Sequence, residues 1–333
     1  MLVSVAAVVD IARGAPSREA WRRLVAALEA IPEDELAGTV YRLEPELNLW
    51  PERLRVRPRR WGLRVAQAGS SSRVSIVSPL HEAWSLGRTL HLGDILDART
   101  AELLSGWEGL RHTTGLTCEG SAPNAALSAL FAGSWREDLR WLGLRESDLL
   151  EAGIGWMADH QWPALERLDL AQSQIQDDAL LAIANHAFPQ LRRLNLAGHR
   201  RGPHIAEAVL ASPAFAFLER VNLTGAPFGE AAAQAWVKTP DRQQLDRITL
   251  GSFSPDDAAV SIDALVDALE SGKVKLSRLT LRRVVLELRD AERLQRAAAG
   301  CVEELVLRDC SLPDSLKRKW VRTDSAGPRI RLR

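Results

Sequence analysis

LERLDLAQSQIQDDALLAIANHAFPQLRRLNL, residues 165–196, holds two copies of one pattern, Leu165/Leu168/Leu170 and Leu191/Leu194/Leu196. Each reads apolar, two variable, apolar, one variable, apolar. Between them Ile175, Leu180, Leu181, Ile183 and Ala184 recur at helical spacing, behind Asp177 and Asp178, which sit where a helix dipole favours negative charge. The stretch therefore reads strand, helix, strand.

Working outward, the pattern recurs at Leu139/Leu142/Leu144, Leu218/Val221/Leu223, Leu245/Ile248/Leu250, Leu276/Leu279/Leu281 and Val302/Leu305/Leu307. First positions are separated by 26, 26, 27, 27, 31 and 26 residues, the regularity of a repeat array. Weaker copies flank the seven: Leu90 and Leu92, then Leu110, and Ile330 with Leu332 in the closing PRIRLR. A single core rarely grows beyond roughly 250 to 300 residues, so a 333-residue chain needs two domains or repeats, and here the repeats are explicit.

This pattern resembles the leucine-rich-repeat family, and a full helix in each unit is similar to its ribonuclease-inhibitor-like subclass. The resemblance implies an α/β solenoid over residues 87–333, with a curved parallel inner sheet and outer helices. At the ninth repeat position, where the family's asparagine or cysteine would bond the turn backbone, the chain instead has Ser147, Ser173, His199, Ala226, Phe253 and Val284, and only then Cys310. Leucines at positions one, four and six point into a shared core, and strand alternation turns positions three, five and seven toward the concave face.

Residues 1–86 carry no repeat and read as an N-terminal helical or mixed cap, or a small α+β domain. SREAWRRLVAALEAI is an amphipathic helix with Ser17 as N-cap, Glu19 and Arg23 as an i,i+4 pair, and Trp21, Leu24, Val25 and Leu28 on one face. Residues 3–9 read as a buried strand or the start of a helix. Further on, Arg53, Arg55, Arg57, Arg59, Arg60 and Arg64 surround Trp50 and Trp61. That cluster suits phosphate or a stacked base; the alternation of Leu54 and Val56 with arginines equally describes a half-buried edge strand whose charges oppose aggregation.

The working surface is expected on the concave face. Position three reads Trp141, Arg167, Arg193, Arg220, Arg247, Arg278, Glu304 and Arg329, so five consecutive strands place arginine in one column. Stacked like charges repel. Either local acids (Glu166, Asp169, Glu219 and Asp246) or an acidic partner must offset them, and arginine suits bidentate carboxylate or phosphate. Position five, including Asp169, Asn195 and Asn222, is short and polar and leaves the floor open. The loop His199, Arg200, Arg201 to His204 is a second contact candidate, with too few convergent ligands for a metal. The sequon at Asn222 lies inside a core strand and is not expected to carry glycan.

Formal net charge is zero, which gives the whole chain no pull toward nucleic acid or an anionic membrane. Three cysteines without Cys-x-x-Cys spacing argue against a disulfide framework and a zinc site, and favour a reducing compartment. No apolar run reaches the roughly 20 residues of a membrane span, and the N-terminal run lacks a preceding basic residue, so the expected location is cytoplasmic. Walker, GxGxxG, GxSxG and HExxH motifs are missing, and no cofactor is expected. The expectation is a non-enzymatic scaffold that holds a partner protein with an acidic surface. The alternatives are phosphate or nucleic-acid binding through the arginines, and regulation of a partner enzyme.

Overall fold

A computed structural model describes residues 4–57, 64–67, 74–77, 81–92, 98–118, 124–147, 149, 155–173, 175, 177–184, 188–199, 204–239, 244–253, 260–315, 317 and 328–333. The chain divides into two compact units, Met1–Leu142 and Gly143–Arg333.

In the N-terminal unit, three helices come first: α1 (Val5–Arg13), α2 (Arg18–Leu28) and α3 (Glu33–Leu47). Residues 5–9 are thus helix, started by Ser4, whose hydroxyl accepts from the Ala7 N–H at 3.3 Å. Ser17 caps α2 as expected, accepting from the Ala20 N–H at 3.0 Å, while Glu19 pairs with Arg22 at 3.5 Å instead of Arg23. Trp21, Leu24, Val25 and Leu28 are all buried, in a core with Val8, Leu36, Leu43, Leu47 and Trp50. A small antiparallel pair follows, β1 (Arg64–Gln67) with β2 (Val74–Val77). Strand–helix alternation then starts with β3 (Thr89–Leu92), α4 (Ala98–Ser105), β4 (Gly115–Cys118) and α5 (Asn124–Phe131). The unit boundary falls inside β5 (Trp141–Gly143).

The C-terminal unit continues with α6 (Gly155–Ala158), β6 (Arg167–Asp169), α7 (Asp177–Ala184), β7 (Arg193–Asn195), α8 (Ile205–Ala211), β8 (Arg220–Asn222) and α9 (Glu230–Lys238). It ends with β9 (Arg247–Gly251), α10 (Ile262–Glu270), β10 (Leu276–Arg282), α11 (Leu288–Ala298), β11 (Val302–Arg308) and β12 (Arg329–Leu332). From β3 to β12 the ten strands are hydrogen-bonded in sequence order as one sheet, and every strand pair whose register is described there is parallel.

Strand burial alternates. Leu168, Leu194, Val221, Ile248, Leu279 and Leu305 are buried, whereas the residues on either side of them in β6 to β9 are half-buried. One strand-plus-helix unit cannot cover its own leucines, but successive helices pack on one another, α6 on α7 and so on through α10 on α11, and close a common core. Aromatic residues fill the joints: Phe188 stacks on Phe215 at 6.2 Å, Phe228 meets Trp236 edge-on at 6.2 Å, and Trp135, Trp156 and Trp236 are buried.

Six strands, β5 to β8, β10 and β11, leave the sheet through the same tight turn. Glu146, Gln172, Gly198, Gly225, Arg283 and Asp309 stand at the eighth repeat position, all with φ between 51° and 94°. Their N–H groups donate to the seventh-position carbonyl of the following unit: Gln172 to Ala197 at 2.7 Å, Gly198 to Thr224 at 2.8 Å, Arg283 to Arg308 at 2.9 Å. At the ninth position, three side chains bond a carbonyl of the preceding unit, Ser173 and His199 in place of the family's asparagine and Cys310 in agreement with it, whereas Ala226, Phe253 and Val284 carry no such donor. Ser173 donates to the Leu144 carbonyl, His199 Nε2 lies 2.8 Å from the Leu170 carbonyl, and Cys310 Sγ lies 3.4 Å from that of Leu281.

Candidate functional site

Arg167, Arg193, Arg220, Arg247 and Arg278 are register partners, each opposite the next across β6, β7, β8, β9 and β10. All five are half-buried and stand on the face opposite the leucine core. With parallel strands about 4.8 Å apart, the column is roughly 19 Å long.

The surrounding charge is uneven. Toward the C-terminal end, Arg247 Nε pairs with Asp246 Oδ2 at 3.1 Å, and Arg278 binds Glu304, which occupies the next place in the column. Glu304 is buried between two guanidinium groups: Arg331 Nε lies 2.6 Å from its Oε1, an ion pair without hydrogen-bond geometry. Burial pushes the Asp246 carboxyl up, but bonds from Ser277 and Arg247 outweigh it and hold it below its usual range. Toward the middle, two of the expected counter-charges point elsewhere: Asp169 pairs with Arg145 at 3.2 Å and Glu219 with Arg192 at 2.9 Å. Arg220, between Arg193 and Arg247, has a buried Nε with no hydrogen-bond partner. Desolvation, then repulsion from Arg193 and Arg247, lowers its pKa.

The row at position five is not simply an open floor. Asp169, Asn195 and Asn222 each use Oδ1 to accept from the N–H two residues on, at Ala171 (3.1 Å), Ala197 (3.2 Å) and Thr224 (3.1 Å). Asn195 Nδ2 also donates to Asp169 Oδ1 at 2.9 Å. These side chains fix the strand ends, as short Asx groups do in turns.

Of the other expected contacts, Trp141 holds the third position of β5, half-buried over Gly115, where an added Cβ would come within 3.1 Å of its ring. His199 is buried in the turn ladder, so it is no part of a protruding loop. His204 is exposed before α8, 3.2 Å from Glu207; Arg200 and Arg201 lie outside the described residues.

The edge-strand arginines also differ from expectation. Val56 bridges to Thr89 of β3, so residues 55–57 do line that strand, but the burial is inverted: Arg55 and Arg57 are inside and Val56 is half-buried. Arg55 Nε donates to the Leu86 carbonyl at 2.7 Å, and its Nη1 to the C-terminal carbonyl of α3, Leu47, at 3.1 Å. Arg57 lies 4.7 Å over the Trp84 ring and donates to the Trp84 carbonyl, the Thr113 hydroxyl and the Gly109 carbonyl. Arg59, Arg60 and Trp61 lie outside the described residues.

The sequence reading missed one feature of the same face. Arg247, Ser277, Arg278, Glu303, Glu304, Arg329 and Arg331 line a groove of about 460 Å³. The signal was present in the alternation of PRIRLR, which places Arg329 and Arg331 on one face of β12 opposite Glu304 and Val306.

Among the described residues, no helix is long and apolar enough to cross a membrane, and no group of three or more His, Cys, Asp or Glu is arranged to hold a metal ion. Comparison of the chain with protein-family models and with curated proteins found no match.

Proposed function

We propose that the chain is a leucine-rich-repeat protein of the ribonuclease-inhibitor-like kind. On this reading it is a non-enzymatic scaffold in a reducing, cytoplasmic setting, and it holds an acidic surface of a partner protein against Arg167, Arg193, Arg220, Arg247 and Arg278. The observation that carries this reading is the in-register arginine column, with Arg220 flanked on both sides by like charge and its Nε unpartnered. Like charges in adjacent strands are unfavourable, and a partner's carboxylates offset that cost on binding. At β11 the protein places its own carboxylate, Glu304, in the same column, bound by Arg278 and Arg331. That is the chemistry the central arginines would offer to a ligand. Arginine is also enriched among residues that dominate interface energies.

The test uses the triple substitution Arg193→Gln, Arg220→Gln and Arg247→Gln. A partner is isolated with the intact chain, and its affinity for both forms is measured at low and physiological salt. Charge-assisted hydrogen bonds contribute about 1.5–3 kcal/mol each, so the variant should bind at least ~100-fold more weakly without a lower melting temperature. Equal affinity at both salt concentrations would move the binding surface off this column.

A further inference from the structure

We infer that the occupant of the arginine column is an acidic α-helix lying across the strands, an inference that rests on the acidic-partner reading above.

The first observation is the repeat distance. The column advances one strand at a time, about 4.8 Å per arginine. Carboxylates spaced alternately three and four residues apart on a helix recur about every 5.3 Å along its axis, whereas same-face side chains of an extended segment recur about every 6.7 Å. Over the four steps from Arg167 to Arg278, a helix drifts out of step by roughly 2 Å and an extended chain by roughly 8 Å. Long arginine side chains absorb the first error and not the second.

The second observation is the relief of the face. Beyond the arginines, position five carries Asp169, Asn195, Asn222 and Thr249, short groups partly folded down onto the strand ends. Position seven then carries Ala171, Ala197, Thr224 and Gly251, all buried, so the smallest side chains occupy these four consecutive places. Large residues return at position seven at both ends of this run, Arg145 before it and Arg282 and Arg308 after it. From position three to position seven is four residues, about 13 Å along a strand, and a helix with its side chains is about 10–12 Å across. Over β6 to β9, therefore, no long side chain stands beside the cations for about the width of a helix.

Three acidic peptides of identical composition separate the alternatives, each titrated by fluorescence anisotropy against the full-length chain. One carries five glutamates as a single stripe on an alanine-rich helix, one scatters them around the helix, and one keeps the stripe but has two central residues exchanged with prolines moved in from its ends. The striped helix should bind at least ten-fold tighter than either control and gain helical circular dichroism when bound. The preference should disappear in Arg193→Gln/Arg220→Gln/Arg247→Gln, and weaken in the milder Arg220→Gln, which guards against a folding defect. If all three peptides bind alike, the helix is wrong and the acidic-partner reading survives. If none binds, or if inorganic polyphosphate displaces the striped peptide at sub-stoichiometric amounts, both fail.

Discussion

Arg57 is 2% exposed, and its donors meet two carbonyls and a hydroxyl with an aromatic ring beneath. Desolvation, followed by repulsion from Arg88 and Arg55, lowers its pKa to about 9. Removing the side chain leaves acceptors unsatisfied and a cavity behind. Arg57→Ala should destabilise the chain by about 3–5 kcal/mol in urea denaturation, and a loss under about 1 kcal/mol would show that its bonds are replaced by water. The sequence could not reveal this inversion, because alternation marks two faces without saying which is inside, and buried arginine runs against the usual preference. A trace existed: Thr113 fills the first-position slot of the unit containing β4, and its hydroxyl is what Arg57 needs. Cys118, in the same unit, is pushed up to about 12 by burial. The folded protein then keeps a proton on Cys118 that the unfolded chain releases, so this thiol's contribution to stability falls as pH rises from about 9 toward 12, against the opposite trend of the buried Arg57. Cys118→Ala should therefore gain urea midpoint relative to the parent between pH 8 and pH 10.5; identical pH dependence in both proteins would exclude the effect.

At the scale of elements, the leucine pattern placed β5 to β11 because each copy spells both the strand and its buried face. Leu194→Ala should cost about 2–5 kcal/mol, since Leu194 is buried in a layer paired with Leu168 and Val221; an unchanged melting temperature would contradict that packing. β4 was harder to read, because its core residues are Thr113, Leu116 and Cys118, and Leu110 drew the register three residues early. The turns were invisible for a different reason. Positive φ falls on glycine in three units, at the seventh position for Gly251 and the eighth for Gly198 and Gly225, but on Glu146, Gln172, Arg283 and Asp309 in the other four, so no residue type marks it. Gly251, at φ 133°, is constrained most, since an added Cβ would collide with the Arg282 carbonyl. Gly251→Ala should therefore lose more than the roughly 1–3 kcal/mol of left-handed strain alone, whereas Gln172→Gly should be neutral or stabilising by up to about 1 kcal/mol. Thermal melts of the pair would check both, and equal effects would mean the turns are pliable.

For the molecule as a whole, the arginine column was legible from residue numbers, whereas the duties of Asp169, Asn195 and His199 were not, since a polar residue looks alike whether it faces a ligand or holds its own backbone. The residues before β3 cover an otherwise open strand: Arg57 N–H donates to the Thr89 carbonyl at 2.8 Å, and Thr89 N–H to the Arg55 carbonyl at 3.2 Å. Deleting residues 1–57 should uncover that edge and yield concentration-dependent oligomers in size-exclusion chromatography; a monomer of unchanged stability would show that β3 protects itself. The turn ladder of the C-terminal unit has one more consequence. Because each left-handed N–H reaches into the next unit, every unit is tied to its successor about 26 residues on. Stretched from the C-terminus in an optical trap, that unit should surrender chain in discrete steps, each releasing roughly 85–95 Å of extended polypeptide, as a zipper yields tooth by tooth.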